Sequence, residues 1–412
     1  MMQEPVIFTL PNGIRIAHKE VTNTRVAHCG IALDIGSRDE SEISQGIAHF
    51  WEHMAFKGTK KRKAYHIINR LDSVGGELNA FTTKEKIHFY ASIMDNHLEN
   101  AIELLKDITF DSIFPPNQIE KEKKVILEEM AMYQDSPEDS LHDDFDEVVF
   151  KNHPLGFNIL GTQKSVNSFH QEDFHNFLKT HLNTHKIVFS CVGNISFKKV
   201  KKLAEKYFSS IPETTTPYQR KPFNSFAPRG VEINKPISQA HCAMGSTAFS
   251  YNHEKRTTLF MLNNLLGGPA MNSRLNLELR ERKGFVYSIE SSFQSYEDTG
   301  LMGIFFATEK TNLNKAINSI WRELNALKNK KMGINQLKSS KDQLMGQIAI
   351  SEERNLNFML MMGKSLLDYN KIETLNETFD KIQKIDASEI MEVANEIFQQ
   401  DTFSYLKYLP QN

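Results

Sequence analysis

Cysteine is scarce and scattered. Cys29, Cys191 and Cys242 are the three cysteines in 412 residues, and no metal-ligand spacing links them. That excludes a disulfide framework or a cysteine zinc ribbon and fits small buried side chains in a reducing compartment. No run approaches about 18 apolar residues, which excludes a membrane-spanning helix. The opening Met-Met-Gln-Glu-Pro lacks a basic segment followed by an apolar one, so no secretory signal is read and a cytoplasmic location is expected. An excess of one charge is missing too. With 49 Lys and Arg against 51 Asp and Glu the net charge is −2, so no bulk field favours nucleic acid or an anionic membrane. What remains, 40 % apolar and 24 % charged residues, describes an ordinary globular protein with ample core. Its length suggests two or three domains.

The chain turns on residues 46–58, Gly-Ile-Ala-His-Phe-Trp-Glu-His-Met-Ala-Phe-Lys-Gly. His49, Glu52 and His53 form an H-x-x-E-H array, the inverted form of the H-E-x-x-H zinc motif. On a helix, His49 and His53 stand one turn apart on one face. Two imidazoles so placed can close on one ion, each nitrogen about 2.0–2.1 Å from zinc. Glu52 can reach a water on that ion without ligating it, which is the layout of a zinc hydrolase. Histidines at i and i+4 are also common as plain core or surface side chains. Phe50, Trp51, Met54 and Phe56 tilt the balance, because three ionisable groups in so apolar a segment need partners.

A catalytic zinc wants a third protein ligand. The helix expected from an Asn117 cap to about Tyr133 offers Glu120, Glu122, Glu128 and Glu129. Glu122, Val125, Ile126, Glu129, Met130 and Tyr133 share one face, apolar apart from its two carboxylates. Glu128 stacks over Lys121 and Lys124, and the Lys124–Glu128 spacing suits a solvated surface. Glu120 also reads as surface. We read Glu129 as the third ligand.

Around these elements the pattern predicts a hairpin over 5–19 turning at Pro11-Asn12-Gly13 and a strand over 26–35. A helix over 63–74 stops at Gly75-Gly76, and two strands over 77–94 are joined by a turn at 82–86. Beyond them come a helix over 96–110, a strand over 183–195 and a helix over 197–207. Pro212, Pro217, Pro222 and Pro228 fall within seventeen residues and mark an extended linker over 213–230. The chain then repeats itself. Ala27-His28-Cys29 returns as Ala240-His241-Cys242, 213 positions later. Phe89 to Ile93 followed by Asn100-Ala101-Ile102 has a counterpart in Gly303 to Ala307 and Lys315-Ala316-Ile317, at an offset of about 215. The expectation is an α+β protein of two similar sandwich domains from an internal duplication, each a mainly antiparallel sheet packed by helices. The domains are 1–212 and 231–412. The counterpart of the histidine helix, near Phe260 to Leu266, has no histidine, so only the first domain could hold metal.

His49-Phe-Trp-Glu52-His53, with Glu129 seventy-six residues beyond His53 at the end of Glu122-Lys-Lys-Val-Ile-Leu-Glu-Glu, resembles the M16 metallopeptidase family. That family includes pitrilysin, insulin-degrading enzyme and the mitochondrial processing peptidase. The likeness covers essentially the whole chain and suits the family's short two-domain branch. It implies Zn²⁺ held by His49, His53 and Glu129, with Glu52 as general base and Glu122 orienting a ligand histidine. Leu279-Arg280-Glu-Arg-Lys-Gly284-Phe-Val-Tyr287-Ser resembles the family's arginine–tyrosine segment, in which Arg280 and Tyr287 would hold the substrate carbonyl or its oxyanion. By themselves Arg280 reads as a charged helix face and Tyr287 as core. Leu78-Asn79-Ala80-Phe81-Thr82 resembles the edge strand that pairs with extended substrate, with Asn79, Ala80 and Phe81 as contacts. His66 and His88 are left structural. Leu266-Gly-Gly-Pro269 lacks the Gly-Lys-Ser/Thr of a phosphate loop.

The resemblance therefore implies a zinc endopeptidase that admits short or unfolded peptides to an enclosed, clam-like chamber and excludes folded proteins. Two subunits would pair, most simply as a homodimer, with a heterodimer left open. The rival from another class is a non-catalytic structural or presenting subunit of the same fold. Such chains usually lack part of the motif, and here all of it is present.

Overall fold

The computed structural model describes residues 4–224 and 226–411. The predicted hairpin is β1 (Val6–Thr9) and β2 (Arg15–Glu20), turning through Gly13 at φ +90°. With β3 (Val26–Leu33), β4 (Glu77–Thr82), β5 (Ile87–Met94) and β6 (Ile187–Gly193) it forms a six-stranded sheet ordered β1-β2-β6-β3-β5-β4. Pairing is antiparallel apart from β2 with β6. The strand expected over 183–195 is shorter than its apolar run, because Thr184–Lys186 winds as a 3₁₀ turn before β6.

A second sheet comprises β7 (Gly230–Lys235), β8 (Ala240–Ala248), β9 (Val286–Ser295), β10 (Gly300–Thr308) and β11 (Ser404–Pro410), ordered β7-β11-β8-β10-β9. It repeats the pattern β2-β6-β3-β5-β4, including the parallel pair, here β7 with β11. Cys29 lies opposite Ala91 across β3 and β5, and Cys242 lies opposite Phe306 across β8 and β10. The sequence repeat is thus a repeat of strand pairing, and the fold is α+β. β6 and β10 are buried along their whole length, as strands covered on both faces must be.

The chain divides into two compact units that do not follow its order. One takes the residues up to Met130 with 157–220 and 350–374, and the other takes 131–156, 221–349 and the residues from 375. The crossing at 220 falls inside the predicted linker; the two exchanged pieces lie inside the predicted domains 1–212 and 231–412. In the first unit the helix Asn355–Tyr369, from late in the chain, covers one face of the six-stranded sheet. Its Met359, Met362 and Leu366 pack on Ala17, Val188 and Val192. Gly363 lets it settle: a methyl there would come within 3.1 Å of the Ala32 side chain.

Five helices of the first part of the chain are α1 (Ile47–Ala55), α2 (Ala64–Asp72), α3 (Leu98–Phe110), α4 (Pro116–Asp135) and α5 (Pro137–Val149). In the second unit α5 packs Leu141, Phe145 and Val149 against Phe305, Leu406 and Tyr408 of the five-stranded sheet. Asn117 does not cap α4 as expected. The helix starts one residue earlier at Pro116, whose ring pre-sets the first turn. No helix among the described residues is long and apolar enough to cross a membrane.

Residues 212–229 hold no helix or strand among those described, yet the linker is pinned. Arg220, its side chain buried, donates to Asp39 Oδ1 from Nε at 2.9 Å and pairs with Asp34 through Nη1 at 2.9 Å. It also donates to the Glu85 carbonyl at 2.9 Å. Replacing it by methionine leaves buried carboxylates short of their counter-charge. We expect Arg220→Met to destabilise the fold by about 3–5 kcal/mol, read as a lower denaturation midpoint; a loss below about 1 kcal/mol would make the cluster a surface-like pair. Burial raises the Asp34 pKa, but Arg220, Lys86 and Lys186 outweigh it and hold the carboxyl below its ordinary value. Its contribution is therefore whole at neutral pH. It fades only as pH falls below the unfolded value of about 3.9 toward the lower folded one.

Candidate metal centre

α1 is where the sequence becomes chemistry. Its apolar residues Ile47, Ala48, Phe50, Trp51, Met54 and Ala55 are buried, so the helix is locked into the core. Gly46 precedes it at φ +88°, a left-handed conformation in which a Cβ would also strike the Leu160 carbonyl at 2.5 Å. The free N–H groups of the first turn are met by a buried carboxylate, since Glu40 accepts from Gly46 N at 2.7 Å and Ala48 N at 2.9 Å. Glu40 lies in the polar stretch 36–45 ahead of α1 and is not among the candidate residues that the sequence singles out. Its one signal was an acid a few residues ahead of a helix start.

On α1, His49 and His53 share a face, their ring centroids 4.6 Å apart. α4 brings Glu129 to both. Its Oε2 lies 3.8 Å from His49 Nε2 and 3.5 Å from His53 Nε2. The three donor atoms fall within 4.8 Å of one another. Donors on a tetrahedral zinc at 2.0–2.1 Å would sit about 3.3 Å apart, so the observed gaps close with a small side-chain adjustment. Two imidazole nitrogens and one carboxylate are a donor set zinc takes. The residues fit the metal.

Glu122, two helical turns before Glu129, is 5 % exposed and accepts from His53 Nδ1 at 3.1 Å. A proton held on Nδ1 would leave Nε2 free to ligate when a metal ion takes the place of its second proton. Lys57 completes this arm, its Nζ 2.7 Å from Glu122 Oε1, and offsets the buried charge. Sequence reasoning passed over Lys57, although it stands four residues beyond His53, just past the end of the same helix. Glu128 is exposed, as its lysine-rich face predicted, and Glu120 pairs with Lys123 at 2.6 Å. Val125, expected on the apolar face, is 44 % exposed.

The electrostatics follow from this crowding. Burial pushes His49 down to about 4, aided by the charge of His53 and opposed by Glu129. Burial would lower His53 as well, but its bonds to Glu122 and Glu129 win and push it up to about 9. Glu129 is held below its ordinary value by His53, against burial. Burial would raise Glu122, but His53 and Lys57 keep it low. The positive charge of His53 is thus held between the Glu122 and Glu129 carboxylates, a place a divalent cation also suits. Glu52 behaves differently. Burial raises it above its ordinary value despite a hydrogen bond from Thr82 and the nearby His53, which suits a group that must take and return a proton near neutrality.

β4 is the last strand of its sheet and pairs on its other side with no strand among the described residues. Asn79 is exposed there, Ala80 is half-buried, and Phe81 stacks on the His88 ring with centroids 4.6 Å apart. His88 is buried. Arg280 and Tyr287 belong to the second unit. Arg280 lies in a π-helical turn, Asn276–Arg282, with its guanidinium 5.5 Å from the Tyr287 ring centroid. Tyr287 is 80 % exposed at the start of the edge strand β9, not core.

We expect Glu122→Gln to weaken zinc binding by about 10–100-fold, measured by competition with a chelating indicator. Lys57→Met should act in the same direction but less, since the imidazole bond survives. Unchanged affinity in both would remove this arm from the centre.

Two sheets of like strand order, with a His-His-Glu cluster beside a carboxylate outside it, Glu52, form the layout of a metallohydrolase. The chain belongs to peptidase family M16: the family model described as insulinase (peptidase family M16) matches residues 15–163, and the model for the peptidase M16 inactive domain matches 168–344. An uncharacterized zinc protease, YmxG, of Bacillus subtilis is 34 % identical over 96 % of each chain. One of Rickettsia felis is 31 % identical over 97 % of this chain and 96 % of its own. A Helicobacter pylori protease structure superposes with a TM-score of 0.93 at 21 % identity, covering both chains fully. A peptidase M16 inactive domain from Pseudomonas fluorescens gives 0.91 at 16 %, over 100 % and 99 %. Those two likenesses concern the fold. Zinc is the metal of the family and of these named relatives.

Proposed function

We propose that this protein is a zinc-dependent endopeptidase of short or unfolded peptides. The observation that carries the reading is the convergence of His49, His53 and Glu129 within 4.8 Å, with Glu52 next to it in the same helix and free of that cluster. Zinc held by those three residues supplies a Lewis acid that polarises a carbonyl and acidifies water. Glu52 takes the proton of the attacking water and returns it to the amine that leaves. Glu122 keeps the proton of His53 on Nδ1, with Lys57 balancing its charge. Asn79, Ala80 and Phe81 offer an open strand edge to the peptide backbone, and only an extended segment can pair with it. Arg280 and Tyr287 hold the substrate carbonyl and its developing oxyanion. Two copies pair, most simply as a homodimer, and the protein works in the cytoplasm.

The test is mass spectrometry of an unstructured peptide, about 20–30 residues long, incubated with the purified zinc-loaded protein. Each residue pairing along β4 takes about 3.3 Å of chain, so such a peptide spans the edge with ends to spare. Internal cuts abolished by a chelator and restored by zinc are expected. Zinc bound at stoichiometry with no cut in any unfolded peptide would favour the non-catalytic subunit. Light scattering gives the oligomeric state.

A further inference from the structure

Thr82 ends β4, two residues beyond Ala80 and four beyond Leu78, so the three side chains stand on one side of the strand. Leu78 and Ala80 are apolar; Thr82 carries a hydroxyl at the third position. That hydroxyl donates to Glu52 Oε2 at 2.5 Å. Both partners sit on rigid supports. Thr82 pairs with Ile87 across the sheet. The turn that follows is closed by Thr83 N to the Lys86 carbonyl at 2.8 Å, and is tied to the loop before α1 by Arg38 N to the Lys84 carbonyl at 2.7 Å. Glu52 stands on α1, held by Glu40 at its start.

We propose that Thr82 is a positioning residue: its hydroxyl fixes one oxygen of Glu52 and joins the proton-transferring carboxylate to the strand edge on which the peptide lies. This rests on Glu52 being the base. A glutamate side chain left alone spreads over several rotamers, and a displacement near 1 Å at a reacting group can cost about 100-fold in rate. A hydroxyl on the substrate strand sets the carboxylate in register with the backbone it must serve. Because the peptide pairs with main-chain groups of β4, losing the Thr82 hydroxyl should spare binding.

The experiment compares wild type, Thr82→Val, Thr82→Ser and Glu52→Gln on an internally quenched peptide, with zinc content and thermal midpoint measured for each. Valine keeps the shape and removes the hydroxyl; serine keeps the hydroxyl. The expected result is a kcat at least about tenfold lower for Thr82→Val, with KM within about twofold, unchanged zinc and midpoint, and recovery in Thr82→Ser. If the valine variant does not fold, Thr82→Ala takes its place under the same readings. A Thr82→Val enzyme with wild-type kcat beside an inactive Glu52→Gln overturns the role of Thr82 alone. So does a loss that serine fails to recover, or one that tracks lost zinc or stability. A Glu52→Gln enzyme as active as wild type overturns the base, and this proposal with it.

Discussion

Glu52→Gln is expected to lower kcat by about 10²–10⁴-fold while the protein keeps its zinc. Glutamine matches glutamate in size, and its carbonyl oxygen can still accept the Thr82 hydroxyl, so the local packing should survive. It cannot take a proton. His49, His53 and Glu129 are untouched, and their convergence depends on α1 and α4, not on Glu52. Metal analysis and steady-state kinetics on one preparation separate the two properties. Turnover near wild type would remove Glu52 from the mechanism. Lost zinc together with lost activity would make Glu52 part of the metal's support instead. The pH dependence should follow the environment: burial raises Glu52 above its ordinary value, so the acid limb of the rate should lie above that of a free carboxylate.

The second large effect is expected at α4. Glu129→Gln should weaken zinc binding by at least about 100-fold, beyond what loss of an outer-shell partner costs, because it replaces a charged donor with a neutral one. Glu128→Gln, one residue away, should leave affinity within about twofold, since an exposed carboxylate on a solvated helix face contributes little. Adjacent residues on a helix point about 100° apart, and only Glu129 turns toward His49 and His53. Equilibrium dialysis against a zinc buffer reads both variants. Equal loss, or the greater loss at Glu128, would contradict the donor geometry.

The two tests divide along a line that also divides what could be read from the chain. The spacing of His49 and His53, the face shared by Glu122 and Glu129, and the surface character of Glu128 all follow from helical periodicity. Periodicity is a property of the local backbone, so these relations were present in the sequence. The strand repeat was legible for the same reason: tripeptides spaced by nearly constant offsets had to occupy equivalent places in equivalent sheets. Tyr287 is a case where local pattern misled. It follows Phe285 and Val286 in a short apolar run, but β9 is an edge strand and Tyr287 stands exposed at its start.

Contacts made across long sequence gaps were not legible. Thr82 and Glu52 are thirty residues apart, and nothing in either stretch records which hydroxyl meets which carboxylate. Glu40 reads as a surface acid until its bonds to Gly46 and Ala48 are seen, and Arg220 reads as part of a loose linker until Asp34 and Asp39 surround it.

The sequence by itself determined the α+β duplication, the metal-binding helix, the acid helix that completes the donor set, and the absence of a long apolar helix. Each is written in periodicity or spacing, which the backbone converts directly to geometry. Only the tertiary structure decided that Asn355–Tyr369 covers the first sheet and that α5 covers the second. An amphipathic helix specifies that one face must be buried, not which sheet will bury it. The same holds for Lys57, Glu40 and Thr82: a polar side chain specifies a need for a partner, and the fold chooses the partner.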